Sequence, residues 1–109
     1  MYGTTDDTLG RRLFQIQKEK AIEDAVEKIR HKMGTEWNSV SSSDSEVLKE
    51  ILGEVWTSID RHRWGTYSFS KLSKNDINSL ITIGKEVKAK PPLTNDLLKS
   101  LDNILNRTI

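Results

Sequence analysis

The chain has 109 residues, no cysteine and a formal net charge of +1. That length fits one domain able to bury a real core. The missing cysteines exclude a disulfide framework and thiolate metal sites and fit a reducing compartment. No apolar run approaches the roughly 18–20 residues of a membrane span, and the acids Asp6 and Asp7 near the start are unlike a secretory signal.

The expected fold is all-α: a small bundle of four main helices, roughly 7–33, 44–61, 74–89 and 95–108. The first helix extends beyond the core, so residues 1–20 form an N-terminal arm or the first half of helix one. Residues 21–109 form the core domain.

Helix one is expected to end at Gly34, a C-terminal breaker. Its apolar residues form two faces rather than one. Leu9, Leu13 and Ile16 share the first; Ala21, Ile22, Ala25, Val26, Ile29 and Met33 share the second, rotated by roughly 150°. Residues 17–20 are polar and separate them. The helix bends there, or its first half packs on something else, or that half is an ordered-on-binding arm. Leu9, Leu13 and Ile16 have the 4–3 spacing of a coiled-coil seam, over too short a length to stand alone. With Phe14 on its flank, this patch is the candidate oligomer or partner interface, and a homodimer is one of its outcomes.

A loop follows, anchored by Trp37 and Val40. The run from Ser41 to Glu46 resembles an acidic-directed phosphorylation site, but Ser43 with Glu46 also reads as a capping box opening helix two. Helix two is clearly amphipathic, with Val47, Leu48, Ile51, Leu52, Val55 and Ile59 on one face and Trp56 at its edge. Gly53 lies off that face; either another backbone comes close to it or it is plain surface.

Beyond it, Tyr67 and Phe69 alternate with small polar residues, which suggests a short extended segment. Helix three has the strongest start signal. Ser73 is a cap with Asp76 three residues on, and Leu72 with Ile77 has the hydrophobic-staple spacing. Gly84 lies on its buried face, so a neighbouring helix is expected to cross closely there. Thr94 caps helix four, with Leu93 and Leu98 as its staple. The expected core is Val26, Ile29, Leu48, Ile51, Leu52, Val55, Ile59, Ile77, Leu80, Ile81, Val87, Leu97, Leu98, Leu101 and Ile104.

Charge is uneven. Residues 34–59 carry −4 and residues 60–90 carry +4. The two segments either neutralise each other or leave a basic face for an acidic partner. Arg61, Arg63, Trp64, Tyr67, Lys71 and Lys74 are the candidate binding cluster, because cations neutralise phosphates and exposed aromatics stack on bases. The same residue types dominate protein interfaces, and the rings can instead close over the core.

No metalloprotease, EF-hand, phosphate-loop, dinucleotide or serine-hydrolase pattern occurs. His31 and His62 each sit between cations, and the carboxylates lie on solvated faces. No catalytic residue, metal or cofactor is therefore expected. The functional expectation is a non-enzymatic, intracellular interaction module, adaptor or regulator, with a protein partner that is a second copy or another chain. Nucleic-acid binding through residues 61–74 is the alternative.

Overall fold

The computed structural model describes residues 2–91 and 93–106; the side chains of residues 2–9 and 11 lie outside the described set. Five helices follow in order: α1 (Tyr2–Met33), α2 (Ser42–Ser58), α3 (Arg61–Gly65), α4 (Lys74–Ala89) and α5 (Asn95–Leu105). Two 3₁₀ turns, Gly34–Ser39 and Phe69–Lys71, lie between them. No strand occurs among the described residues, so the expected all-α class holds.

α1 is one helix through residues 17–20. At about 1.5 Å per residue its 32 residues account for a long axis near 50 Å, against 28 Å in the other two directions. Gly34 closes it at φ 58°, the left-handed conformation that glycine adopts without a Cβ clash. The chain then turns back, and α2 runs antiparallel along α1. Ile22 of α1 lies over Gly53 of α2, and Phe14 reaches Trp56 near the end of α2.

α2 begins earlier than its expected start at residue 44. Its cap is Ser41, whose hydroxyl accepts from the Asp44 N–H at 3.1 Å. Three successive serines offer the same motif in several registers. The one adopted places Asp44 in the positive first turn and 3.1 Å from Lys85 of α4. α2 also stops before its expected end. Asp60 leaves the helix and caps α3, accepting from the His62 N–H at 3.1 Å. The segment with Tyr67 and Phe69 is not extended. It is a loop leading into the 3₁₀ turn at Phe69–Lys71, and both rings are buried. No neighbouring strand among the described residues could satisfy an extended backbone there.

α4 matches its expected span, residues 74–89. Ser73 accepts from the Asp76 N–H and Asp76 accepts from the Ser73 N–H, each at 3.1 Å, so the capping box is reciprocal. Ser73→Ala removes one of these bonds from a half-buried helix start and is expected to lower unfolding stability by about 1 kcal/mol. A urea titration checks this; an unchanged midpoint would mean that the cap contributes nothing to stability. Thr94 caps α5 by accepting from the Leu97 N–H at 3.2 Å. α5 ends at Leu105, and the expected extension through residues 107–108 lies outside the described residues.

The core lies between α2, α4, α5 and the second half of α1. Ten of the fifteen expected core residues are buried, and Val26, Ile59, Leu97, Leu98 and Ile104 pack half-buried at its edge. Ala25, Val47, Trp56, Tyr67, Phe69, Leu72 and Leu105 join the buried set. α2 and α4 cross at Gly84, as its buried position implied. A Cβ there would stand 2.6 Å from Val47 Cγ1 and 3.3 Å from the Val47 carbonyl oxygen. Gly53 is also a crossing point: its Cβ position is 3.2 Å from Ile22 Cδ1 and Lys18 Cε of α1.

Candidate interaction surface

The first half of α1 is positioned by one aromatic contact. Phe14 meets Trp56 edge-on, ring centroids 5.0 Å apart and planes at 61°. The Arg61 guanidinium lies over the Trp56 ring, 3.4 Å from its centroid, and 5.9 Å from that of Phe14. It also donates to the carbonyl oxygens of Ile59, at 3.1 Å, and Trp56. One cation therefore closes the last carbonyls of α2 and stacks on the ring beneath Phe14. Trp56 is 3% exposed, so this contact belongs to the fold.

With Phe14 anchored, Leu13 and Ile16 turn outwards. They are 59% and 53% exposed, and Phe14 is 42% exposed; these three are the exposed large apolar side chains among the described residues. The structure thus brings three of the four candidate interface residues onto one stretch of helix, with Phe14 between core and patch. The Leu9 side chain lies outside the described residues. Gly10 shares the stretch, is exposed, and has nothing within 4 Å of the position a Cβ would take.

The basic and aromatic cluster does not assemble into one exposed patch. Arg61 is committed to Trp56 and the end of α2. Arg63 forms a two-point ion pair with Asp102 of α5: Nε to Oδ1 at 2.8 Å and Nη2 to Oδ2 at 2.7 Å. The Tyr67 hydroxyl donates to the same carboxylate at 2.8 Å. The rings of Trp64, Tyr67 and Phe69 form a cluster with centroids 5.1 to 6.0 Å apart. Tyr67 is 7% exposed, so its face is not open to a base. Lys71 and Lys74 lie at the surface. The cluster is a clasp that fastens α3 and the following loop to α5.

Its electrostatics follow from the geometry. The hydrogen bond from Arg63, with a second from Tyr67, holds the Asp102 carboxyl below its ordinary range despite partial burial. The same bond raises Arg63. Burial, reinforced by the neighbouring carboxylate, pushes the Tyr67 phenol well above its ordinary value.

Asp102 is the residue that sequence reasoning missed. Its one signal is its place beside Leu101 and three residues before Leu105, on the flank of the α5 apolar stripe. Among the described residues no group of three His, Cys, Asp or Glu side chains is placed to hold a metal ion. No helix among them is long and apolar enough to cross a membrane. In comparisons with family models, curated proteins and solved structures, nothing matched this chain.

Proposed function

We propose that this protein is a non-enzymatic helical interaction module whose docking element is the first half of α1. The observation that carries the reading is the grouping of Leu13, Phe14 and Ile16. In a chain with 30% charged residues, the exposed large apolar side chains among the described residues fall on one helical stretch. Apolar groups gathered this way in water favour burial against a partner. The Phe14–Trp56–Arg61 contact supports the reading further, because a surface fixed before binding loses less entropy when it docks. The cysteine-free sequence fits an intracellular site of action.

Nucleic-acid binding through residues 61–74 has less support. Arg61, Arg63 and Tyr67 already hold intramolecular partners, and stacking needs an exposed ring.

A photo-crosslinking residue placed at Leu13 or Ile16 of the full chain, in its own cells, tests the proposal. Adducts are expected at both positions and not at Asn78, an exposed residue of α4. A second variant carrying Leu13→Asp, with the probe at Ile16, is expected to lose its adducts while keeping its helical circular dichroism. Exposed substitutions of this kind leave stability within about 0.5 kcal/mol. Absence of any adduct at positions 13 and 16 would overturn the proposal.

A further inference from the structure

The short helix α3 carries two arginines that grip different parts of the molecule. Arg61 and Arg63 stand two residues apart, so at 100° per residue they leave the helix about 200° apart, on opposite sides. Arg61 closes the end of α2 by donating to the carbonyl oxygens of Trp56 and Ile59. It also stacks on the Trp56 ring, against which Phe14 of α1 rests. Arg63 reaches Asp102 of α5 through two hydrogen bonds, and the Tyr67 hydroxyl joins the same carboxylate.

Little besides these side chains places α3. It has five residues, none of them buried, and a helix of that length does not hold its own shape in water. Trp64 is half-buried, and its ring contacts, Tyr67 and Phe69, belong to the clasp. With the clasp closed, Arg61 is delivered to Trp56 in a set position. With the clasp open, α3 is free to shift, Arg61 moves with it, and the edge-on seat of Phe14 loosens.

We infer that α3 couples the docking face to α5, so that closing or opening the Arg63–Asp102 clasp tightens or loosens the first half of α1. This rests on the docking role proposed above and names its regulation. A loosened Phe14 leaves Leu13 and Ile16 to be ordered at the moment of docking, which weakens it. Linkage makes the effect mutual: a partner that holds Leu13 and Ile16 in the anchored arrangement favours the closed clasp.

The chain has two phenylalanines, so the full chain labelled with para-fluorophenylalanine gives two fluorine NMR resonances, and Phe14→Leu assigns them. The Phe14 resonance carries the ring-current shift of Trp56, whose centroid is 5.0 Å away. Asp102→Asn keeps the shape of the side chain without its charge. It is expected to move this resonance at least half of the way to its position in the urea-unfolded chain. Arg63→Lys keeps the charge but loses the two-point fork. It is expected to move the resonance in the same direction, and it decides the matter if Asp102→Asn fails to fold. In an Arg61→Leu background, Asp102→Asn is expected to cause no further movement. Val47→Ala, at the crossing of α2 and α4, controls for general destabilisation and is expected to leave the resonance in place.

A Phe14 resonance unmoved by Asp102→Asn and by Arg63→Lys, or moved equally by Val47→Ala, would overturn the inference. So would a movement that persists in full without Arg61, since its route would bypass α3. Photo-crosslinking at Ile16 separates this coupling from the docking role. Adducts about threefold fewer in Asp102→Asn than in the parent are expected, because the looser face costs more to order. Equal adducts overturn the regulation and leave the docking role standing. If the parent forms none, the docking role falls and the resonance alone decides the coupling.

Discussion

Replacing Gly84 with alanine is expected to destabilise the protein by about 1–3 kcal/mol, although alanine is the better helix former. The added Cβ would stand 2.6 Å from Val47 Cγ1. Valine is stiff at χ1 inside a helix, and Val47 is buried, so the methyl has no easy alternative position. The Val47 carbonyl oxygen and Ile51 Cβ, each 3.3 Å away, close the remaining space. α2 and α4 must therefore move apart and loosen the centre of the core. That loss outweighs the propensity gain of up to about 1 kcal/mol. In a double-mutant cycle, Val47→Ala should recover part of the loss in the Gly84→Ala background, because it removes the clashing methyl. Urea unfolding of the four proteins checks it. A Gly84→Ala protein more stable than its parent would show that the crossing yields without strain.

Loss of Asp102 is the second large effect expected, at about 2 kcal/mol. Asp102→Ala removes the acceptor of the Tyr67 hydroxyl, and a buried hydroxyl left unpaired costs about 1–3 kcal/mol. The Arg63 guanidinium is half exposed and finds water instead. Tyr67→Phe removes the hydroxyl together with its demand for a partner, so its loss should be smaller. The effect of Asp102 depends on pH in a definite direction. Its folded-state pKa lies below the unfolded value, so at acid pH the unfolded chain binds more protons. The contribution is complete above about pH 4, the ordinary aspartate range, and is lost as pH falls through the folded value. Tyr67 acts at the other end. Its folded pKa is raised, so its contribution holds below about pH 10 and declines as pH rises beyond that. The stability gap between the parent and Asp102→Ala should therefore narrow on acidification. A gap of constant size from pH 7 to pH 2 would mean that the carboxylate charge does not hold the clasp.

What can be read from the sequence divides by the range of the interaction that decides it. The caps at Ser73 and Thr94 are legible because hydroxyl, first-turn N–H and staple residues all lie within six positions of one another. Gly84 is legible because a glycine on a buried helix face gives up both helix propensity and apolar contact unless a neighbour needs the space. The start of α2 is harder, since neighbouring serines present competing registers and Lys85, which pairs with Asp44, lies on another helix. The break at Asp60 depends on its bond to the His62 N–H, whereas the surrounding pattern still looks helical. The clasp is illegible in principle, because Arg63 and Tyr67 meet Asp102 more than thirty residues away. For α1, spacing reveals two apolar faces but not their fates. The Phe14–Trp56 contact decides that Leu13 and Ile16 face outwards.

The unbroken course of α1 through residues 17–20 has a mechanical consequence. From Leu13 to Glu27, beside the buried Ala25 and Ile29, the helix advances about 21 Å without a loop or a glycine. A load applied at Leu13 and Ile16 is borne by continuous backbone hydrogen bonds and delivered to the core at a fixed distance. The molecule is then a strut as much as a surface. The exposed stretch at Leu13 and Ile16 is thereby held at a set distance along α1 from the buried Ala25 and Ile29.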